Sequence, residues 1–164
     1  MTQGKQINRE TANLVAVFPG TFDPVNNGHL DVIRRSSKIF DRLVVGVGIN
    51  PEKVPLFSLE KRIEMLREAV TDMQNVDVES YDLLTSDFAR SVGASVIIRG
   101  IRDSNDFHCE SKAAAANREI SGIETVFLVT SAGFSHISST LVRQVASHGG
   151  DISSMVPPAV LRRI

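Results

Sequence analysis

Phe18-Pro-Gly-Thr-Phe-Asp-Pro-Val-Asn-Asn-Gly-His-Leu30 stands between an apolar run, Leu14-Val-Ala-Val-Phe18, and an amphipathic stretch of helical period. The run reads as a buried strand, Pro19-Gly20 as the turn that ends it, and residues 28–40 as a helix. Asn27 is positioned to cap that helix. Such a strand–loop–helix brings main-chain N–H groups, the positive end of a helix dipole and the imidazole of His29 to one small space, which suits a polyphosphate. Glycine at positions 20 and 28 lets the backbone come close to an anion.

Outward from this segment, strand and helix patterns alternate. β-rich runs fall at Leu14–Phe18, Leu43–Ile49, Val76–Glu79, Ser95–Arg99 and Thr125–Val129, with helical patterns at 28–40, 58–73, 85–93, 104–121 and 138–148. Five strands, each followed by a helix, predict an α/β chain: a Rossmann-like, doubly wound, five-stranded parallel sheet with helices on both faces. Ligands of such sheets lie beyond the C-terminal ends of the strands, near the switch in strand order. Gly149-Gly150 stops the last long helix, and Pro157-Pro158 precedes a short tail. Residues 1–13 are polar and unpatterned and read as a flexible leader, leaving 14–164 as a single domain.

Composition narrows the function. A chain of 164 residues with 42% hydrophobic content is sufficient for one core. Eighteen basic and nineteen acidic residues nearly cancel, which argues against a nucleic-acid coat or a membrane-surface role. Cys109 is the only cysteine, so an intrachain disulfide and a multi-cysteine zinc site are excluded, and a reducing, cytoplasmic setting is expected. No run reaches the roughly 18 apolar residues of a membrane span, and the polar start lacks a signal-peptide core.

Further chemistry collects at the expected strand ends. Thr21 offers a hydroxyl and an N–H one residue past the turn glycine, while Phe22 and Asp23-Pro24 give the loop its shape. His29, directly after glycine at a helix start, can donate to an α-phosphate oxygen as charge builds in a displacement. Ser138, Ser139 and Thr140 open the last amphipathic helix; three hydroxyls exceed what one cap needs and favour phosphate contact. Arg99 and Arg102 flank Gly100 after a strand, and Lys53 follows another, so three cations face the same edge.

The segment GTFDPVNNGH resembles the signature of the nucleotidyltransferase superfamily, in which a Gly-His pair binds the phosphates of a nucleoside triphosphate. Within it, Asn50-Pro-x-Lys53, Leu56-Phe57-x-Leu59-Glu60-x-Arg62, Ile98-Arg-Gly-Ile-Arg102, Asp106-Phe107-x-x-Glu110 and Ile137-Ser-Ser-Thr-Leu-Val-Arg143 resemble the phosphopantetheine adenylyltransferase family over about residues 14–160. The resemblance implies His29, Lys53 and Arg102 as catalytic residues. It implies ATP contacts at Thr21, Phe22, His29, Gly100, Ile101, Arg102, Glu110 and Phe134, Ser135, His136, Ile137, Ser138, Ser139 and Thr140. Acceptor contacts would come from Thr21, Lys53, Thr85 and Arg99, with Phe134 near the adenine.

The same resemblance implies Mg²⁺ carried on the ATP phosphates with no protein-held metal, a homohexamer, and coenzyme A as a candidate inhibitor. The reaction it implies joins ATP and 4′-phosphopantetheine to give dephospho-coenzyme A and pyrophosphate. This chain departs from the family pattern at Phe107–Asn117, where Ala113–Ala116 replace bulkier side chains that pack the pantetheine arm and a neighbouring subunit. Two alternatives stand beside it: another small-molecule adenylyltransferase, such as one acting on nicotinamide mononucleotide, and a non-catalytic ATP-binding protein.

Overall fold

Near-continuous apolar runs such as Val15–Phe18 and Leu43–Val47 demand cover on both faces of the sheet. A computed structural model, which describes residues 13–49 and 54–164, shows how that cover is supplied. The chain runs β1 (Val15–Gly20), α1 (Asn27–Ser36), β2 (Arg42–Gly48), α2 (Leu59–Ala69), β3 (Val76–Tyr81), α3 (Thr85–Ser91), β4 (Val96–Ile101), α4 (Ser104–Ser121), β5 (Glu124–Val129), a 3₁₀ turn (Ala132–Phe134), α5 (Ser139–Ser147) and α6 (Pro158–Leu161). All strand pairs are parallel, in the order β3-β2-β1-β4-β5. The doubly wound sheet expected from the sequence is therefore present.

Ala16, Phe18, Leu43, Val45 and Val47 face one side, where α1, α2, α5 and α6 bury them. Val15, Val17, Val44 and Ile97 face the other, against Phe88 and Ala89 of α3. On that second face the Tyr81 and Phe88 rings stack at 4.3 Å directly over Gly46 of β2. α4 packs against α3, β4 and β5 yet has no fully buried residue; Phe107 meets Phe127 edge-on at 5.3 Å.

Two boundaries differ from the sequence reading for identifiable reasons. β1 does not turn at Pro19-Gly20; it continues through both, registered against Gly46 and Val47 of β2. The tail after Pro157 is not a plain end: Pro158 starts the one-turn α6, a favourable place for a residue without an N–H. Ala159 and Val160 are buried there, and Arg163 bonds to Glu64 and Glu68 of α2. The expected leader lies outside the described residues except for Asn13.

A Cβ on Gly46 would stand 2.4 Å from a ring carbon of Phe88. Gly46→Ala must push the stacked pair out of place and is expected to lower stability by about 1–3 kcal/mol, read as a shifted urea midpoint at unchanged slope.

Candidate active site

β1 and β4 are neighbours only at their starts, where Ala16 pairs with Val96 and Val17 with Ile97. Ser95 N donates to Val15 O and the Arg99 guanidinium to Pro19 O, so Val15, Val17 and Pro19 turn their main-chain groups toward β4. Proline has no N–H to offer on that side, and a ladder cannot continue through it. The strands part there, at the switch in strand order, and open a cleft of about 310 Å³. Its floor is Phe18, Pro19 and Gly20; its walls are the starts of α1 and α5, the end of β4 and the first turns of α4.

His29 occupies the third position of α1. Its backbone N–H donates to Asn26 Oδ1 at 2.9 Å, and its Nδ1 accepts the Asn26 backbone N–H at 3.2 Å, a reciprocal capping box. The cap is thus Asn26, not Asn27. Asn27 is the first helical residue, and its main-chain and side-chain nitrogens donate to Met155 O and Ser154 O. With Nδ1 accepting, the proton of the neutral ring sits on Nε2. Edge-on contacts from Phe22 at 5.0 Å and Phe18 at 6.5 Å steady the imidazole. Desolvation first, and the nearby Arg102 charge second, bring its pKa down to about 4, so His29 is a neutral donor at neutral pH.

The arginines are held by carboxylates. Arg102 forks onto Asp106, Nε to Oδ2 at 2.7 Å and Nη2 to Oδ1 at 3.0 Å, and also donates to Ile137 O. That pairing raises the Arg102 pKa and lowers that of Asp106. Arg99 lies within β4 rather than closing it, with Nε 3.1 Å from Glu110 Oε2 and Nη1 on Pro19 O. Both guanidiniums therefore sit at set positions on the cleft wall.

Each hydroxyl at the start of α5 has a structural partner. Ser138 caps the helix by accepting Leu141 N–H at 3.0 Å. Ser139 Oγ donates to Pro24 O and accepts from Asn26 Nδ2, joining the starts of α1 and α5. Thr140 Oγ1 accepts from Arg143. Ser138 and Thr140 only accept in these bonds, so their O–H protons remain for an anion beside the first-turn backbone N–H groups.

A second chamber of about 440 Å³ adjoins the first. Phe22, His29, Ser139 and Thr140 line both, and Thr21, Arg62 and Arg143 belong to the second alone. His29 therefore stands where the two meet.

A sequence model of the family described as cytidylyltransferase-like matches residues 17–145, from β1 through α5. A phosphopantetheine adenylyltransferase of a Nocardioides species is 50% identical over 91% of this chain and 94% of its own length. One from Aquifex aeolicus is 46% identical over 90% and 92%. The chain belongs to the phosphopantetheine adenylyltransferase family.

Solved structures agree on the fold alone. One from Vibrio parahaemolyticus, named for nicotinate-nucleotide adenylyltransferase, superposes with a TM-score of 0.66 at 20% identity, covering 90% of this chain and 96% of that one. A lipopolysaccharide core biosynthesis protein from Thermoplasma volcanium gives 0.53 at 22%, covering 72% and 96%.

Of the residues the family resemblance pointed to, the structure gathers Phe22, His29, Arg99, Gly100, Arg102, Glu110 and Ile137 to Thr140 around the cleft, and Thr21 around the second chamber. Ile101, Phe134, Ser135 and His136 adjoin these walls in sequence but line neither chamber. Thr85 starts α3, its Oγ1 3.3 Å from Tyr81 OH, and lines neither. Lys53 lies outside the described residues. Asn26, Arg62 and Arg143 were not singled out for the site from sequence. Asn26 had a signal in its place three residues before His29, the spacing of a capping box, and Arg62 and Arg143 in closing two of the quoted motifs.

Because the unfolded chain binds a proton at His29 near pH 6.5 and the native one only near pH 4, native stability falls as pH drops through that window. His29→Gln keeps the capping box and removes the titration, so its urea stability should decline by about 3 kcal/mol less than wild type between pH 7 and 4.

Proposed function

We propose that this chain transfers the adenylyl group of ATP to 4′-phosphopantetheine, giving dephospho-coenzyme A and pyrophosphate. The observation that carries the reading is His29, a neutral Nε2–H donor at the meeting of two chambers whose walls bear arginines. An acceptor phosphate is already ionised at neutral pH, so no strong base is required. Its oxygen attacks the α-phosphorus, the bond to pyrophosphate breaks, and the protein's task is to hold two anions in line and neutralise growing charge.

In this proposal His29 donates to a non-bridging α-phosphate oxygen, and Arg102 adds positive charge beside it. Gly100, with the first-turn N–H groups at Ser139 and Thr140, borders the nucleotide. Arg99, Thr21 and, from its place in the sequence, Lys53 serve the acceptor phosphate; Thr85 would meet only the far end of the pantetheine arm.

Magnesium enters on the triphosphate. The cleft carboxylates Asp106 and Glu110 are each paired with an arginine, and among the described residues no cluster of three or more acidic, His or Cys side chains is arranged to hold a metal. The residues present thus suit a metal coordinated mainly by phosphate oxygens. No described helix is long and apolar enough to cross a membrane, and a single exposed thiol at Cys109 suits the reducing cytoplasm.

A homohexamer is part of the same proposal. Phe107 and Ile120 of α4 and Val129 of the edge strand β5 are 48%, 52% and 62% exposed, apolar area that neighbouring copies would cover. Coenzyme A, which shares the acceptor's pantetheine arm, is proposed to compete at the cleft.

Incubation with ATP, Mg²⁺ and 4′-phosphopantetheine should yield dephospho-coenzyme A and pyrophosphate in equal amounts, with no turnover of nicotinamide mononucleotide under the same conditions. The reverse preference would replace the acceptor, and turnover of neither would leave only nucleotide binding. His29→Ala is expected to lower kcat by ~10²-fold or more with ATP affinity within about threefold; an unchanged kcat removes the imidazole from the mechanism.

A further inference from the structure

Arg62 belongs to a motif, Leu56-Phe57-x-Leu59-Glu60-x-Arg62, that the proposed chemistry leaves without a role. It projects from the first turn of α2 and is only 4% exposed. Its Nη1 donates to Thr21 O at 2.7 Å and to Gly48 O at 3.3 Å, and its Nε–H has no partner among the described residues. A guanidinium buried with a donor left over is a poor device for stability, because a packed apolar side chain does as well or better. Its contacts point to another purpose.

Thr21 O belongs to the peptide that leads into Phe22, a buried non-glycine residue in the left-handed region at φ +49°. Side chains avoid that region unless their surroundings hold them there. The Phe22 ring is braced between Phe18 at 5.6 Å and His29 at 5.0 Å. Gly20 leaves it room, since a Cβ there would lie 2.9 Å from the ring. Two residues on, both carboxylate oxygens of Asp23 accept main-chain N–H groups, from Leu56 at 2.8 Å and Phe57 at 2.9 Å. The loop is thus tied to the α2 entry by Asp23 and to the end of β2 by Arg62.

We infer that Arg62 is a positioning residue for His29: by clamping Thr21 O to the end of β2 it holds Phe22 in its strained backbone state, and the Phe22 ring sets the imidazole at the junction of the two chambers. This rests on the reading of His29 as the group that stabilises the transferring phosphate. A displacement near 1 Å at such a group lowers turnover by ~10²-fold without removing the surfaces that bind the nucleotide.

The test compares full-length wild type with Arg62→Met, Arg62→Gln and Arg62→Lys. Three readouts are needed: kcat at saturating substrates, ATP affinity by calorimetry, and hydrogen exchange of the Phe22 amide. Arg62→Met should lose ~30- to 100-fold in kcat with ATP affinity within about threefold, and its Phe22 amide should exchange at least ~10-fold faster. Arg62→Lys, which can still donate to both carbonyls, should recover at least half of that loss on a logarithmic scale. If Arg62→Met does not fold, Arg62→Gln, which retains a single donor group, must show the same split. Wild-type kcat in a folded Met or Gln variant overturns the inference, as does a loss of ATP affinity matching the loss of turnover. Should the wild-type chain form no dephospho-coenzyme A, the functional reading fails separately, and unchanged Phe22 exchange in the variants then overturns the clamp itself.

Discussion

Proline cannot donate to a sheet ladder, and in this chain that deficiency falls where the site opens. Pro19 lies in β1, a central strand, where a proline is ordinarily excluded. It is tolerated because its missing N–H would point to β4, from which β1 separates after Val17, while its other side stays in register with β2. The free carbonyl of Pro19 is not wasted on solvent: Arg99 of β4 donates to it across the gap. A missing ladder donor, the cleft at the switch in strand order and a cation on the cleft wall thus meet at one residue.

Around that opening the protein sets two ion-paired arginines while keeping its histidine neutral. The two effects reinforce each other: crowding by Phe18 and Phe22 and the charge of Arg102 both disfavour imidazolium. The ring then enters an encounter with a polyphosphate as a directed N–H donor, its tautomer set by a main-chain amide rather than by another titrating side chain. The acidic side chains at the rim, Asp106 and Glu110, hold the arginines in place. Donors positioned before a substrate arrives need little rearrangement when charge develops.

Rigidity comes from stitching rather than from bulk. Asn26 caps α1, touches Ser139 at the start of α5 and so ties two helix N-termini together, with Ser139 also bound to Pro24 O. The three successive hydroxyls at Ser138, Ser139 and Thr140 make three separate bonds, and only Ser139 spends its proton on one. The same economy does not extend to α4, whose alanines bury little and whose apolar side chains remain open on the outer edge of the sheet.

Period and local chemistry were enough to read the parallel α/β architecture and to fix α4 at Ser104–Ser121, because alternation and helical spacing are properties of neighbours along the chain. The Gly28-His29 start of α1 was legible for the same reason. Pro19-Gly20 looked like a turn, since nothing local reveals that one flank of a strand is unpaired. The Asn26 cap is local, at the spacing of a capping box, whereas the bond from Ser139 to Pro24 O and the burial of Arg62 under Thr21 are contacts between segments tens of residues apart. Such contacts follow from which strands lie side by side and where they separate, and that is settled by packing of the whole sheet, not by the order of residues within any one stretch.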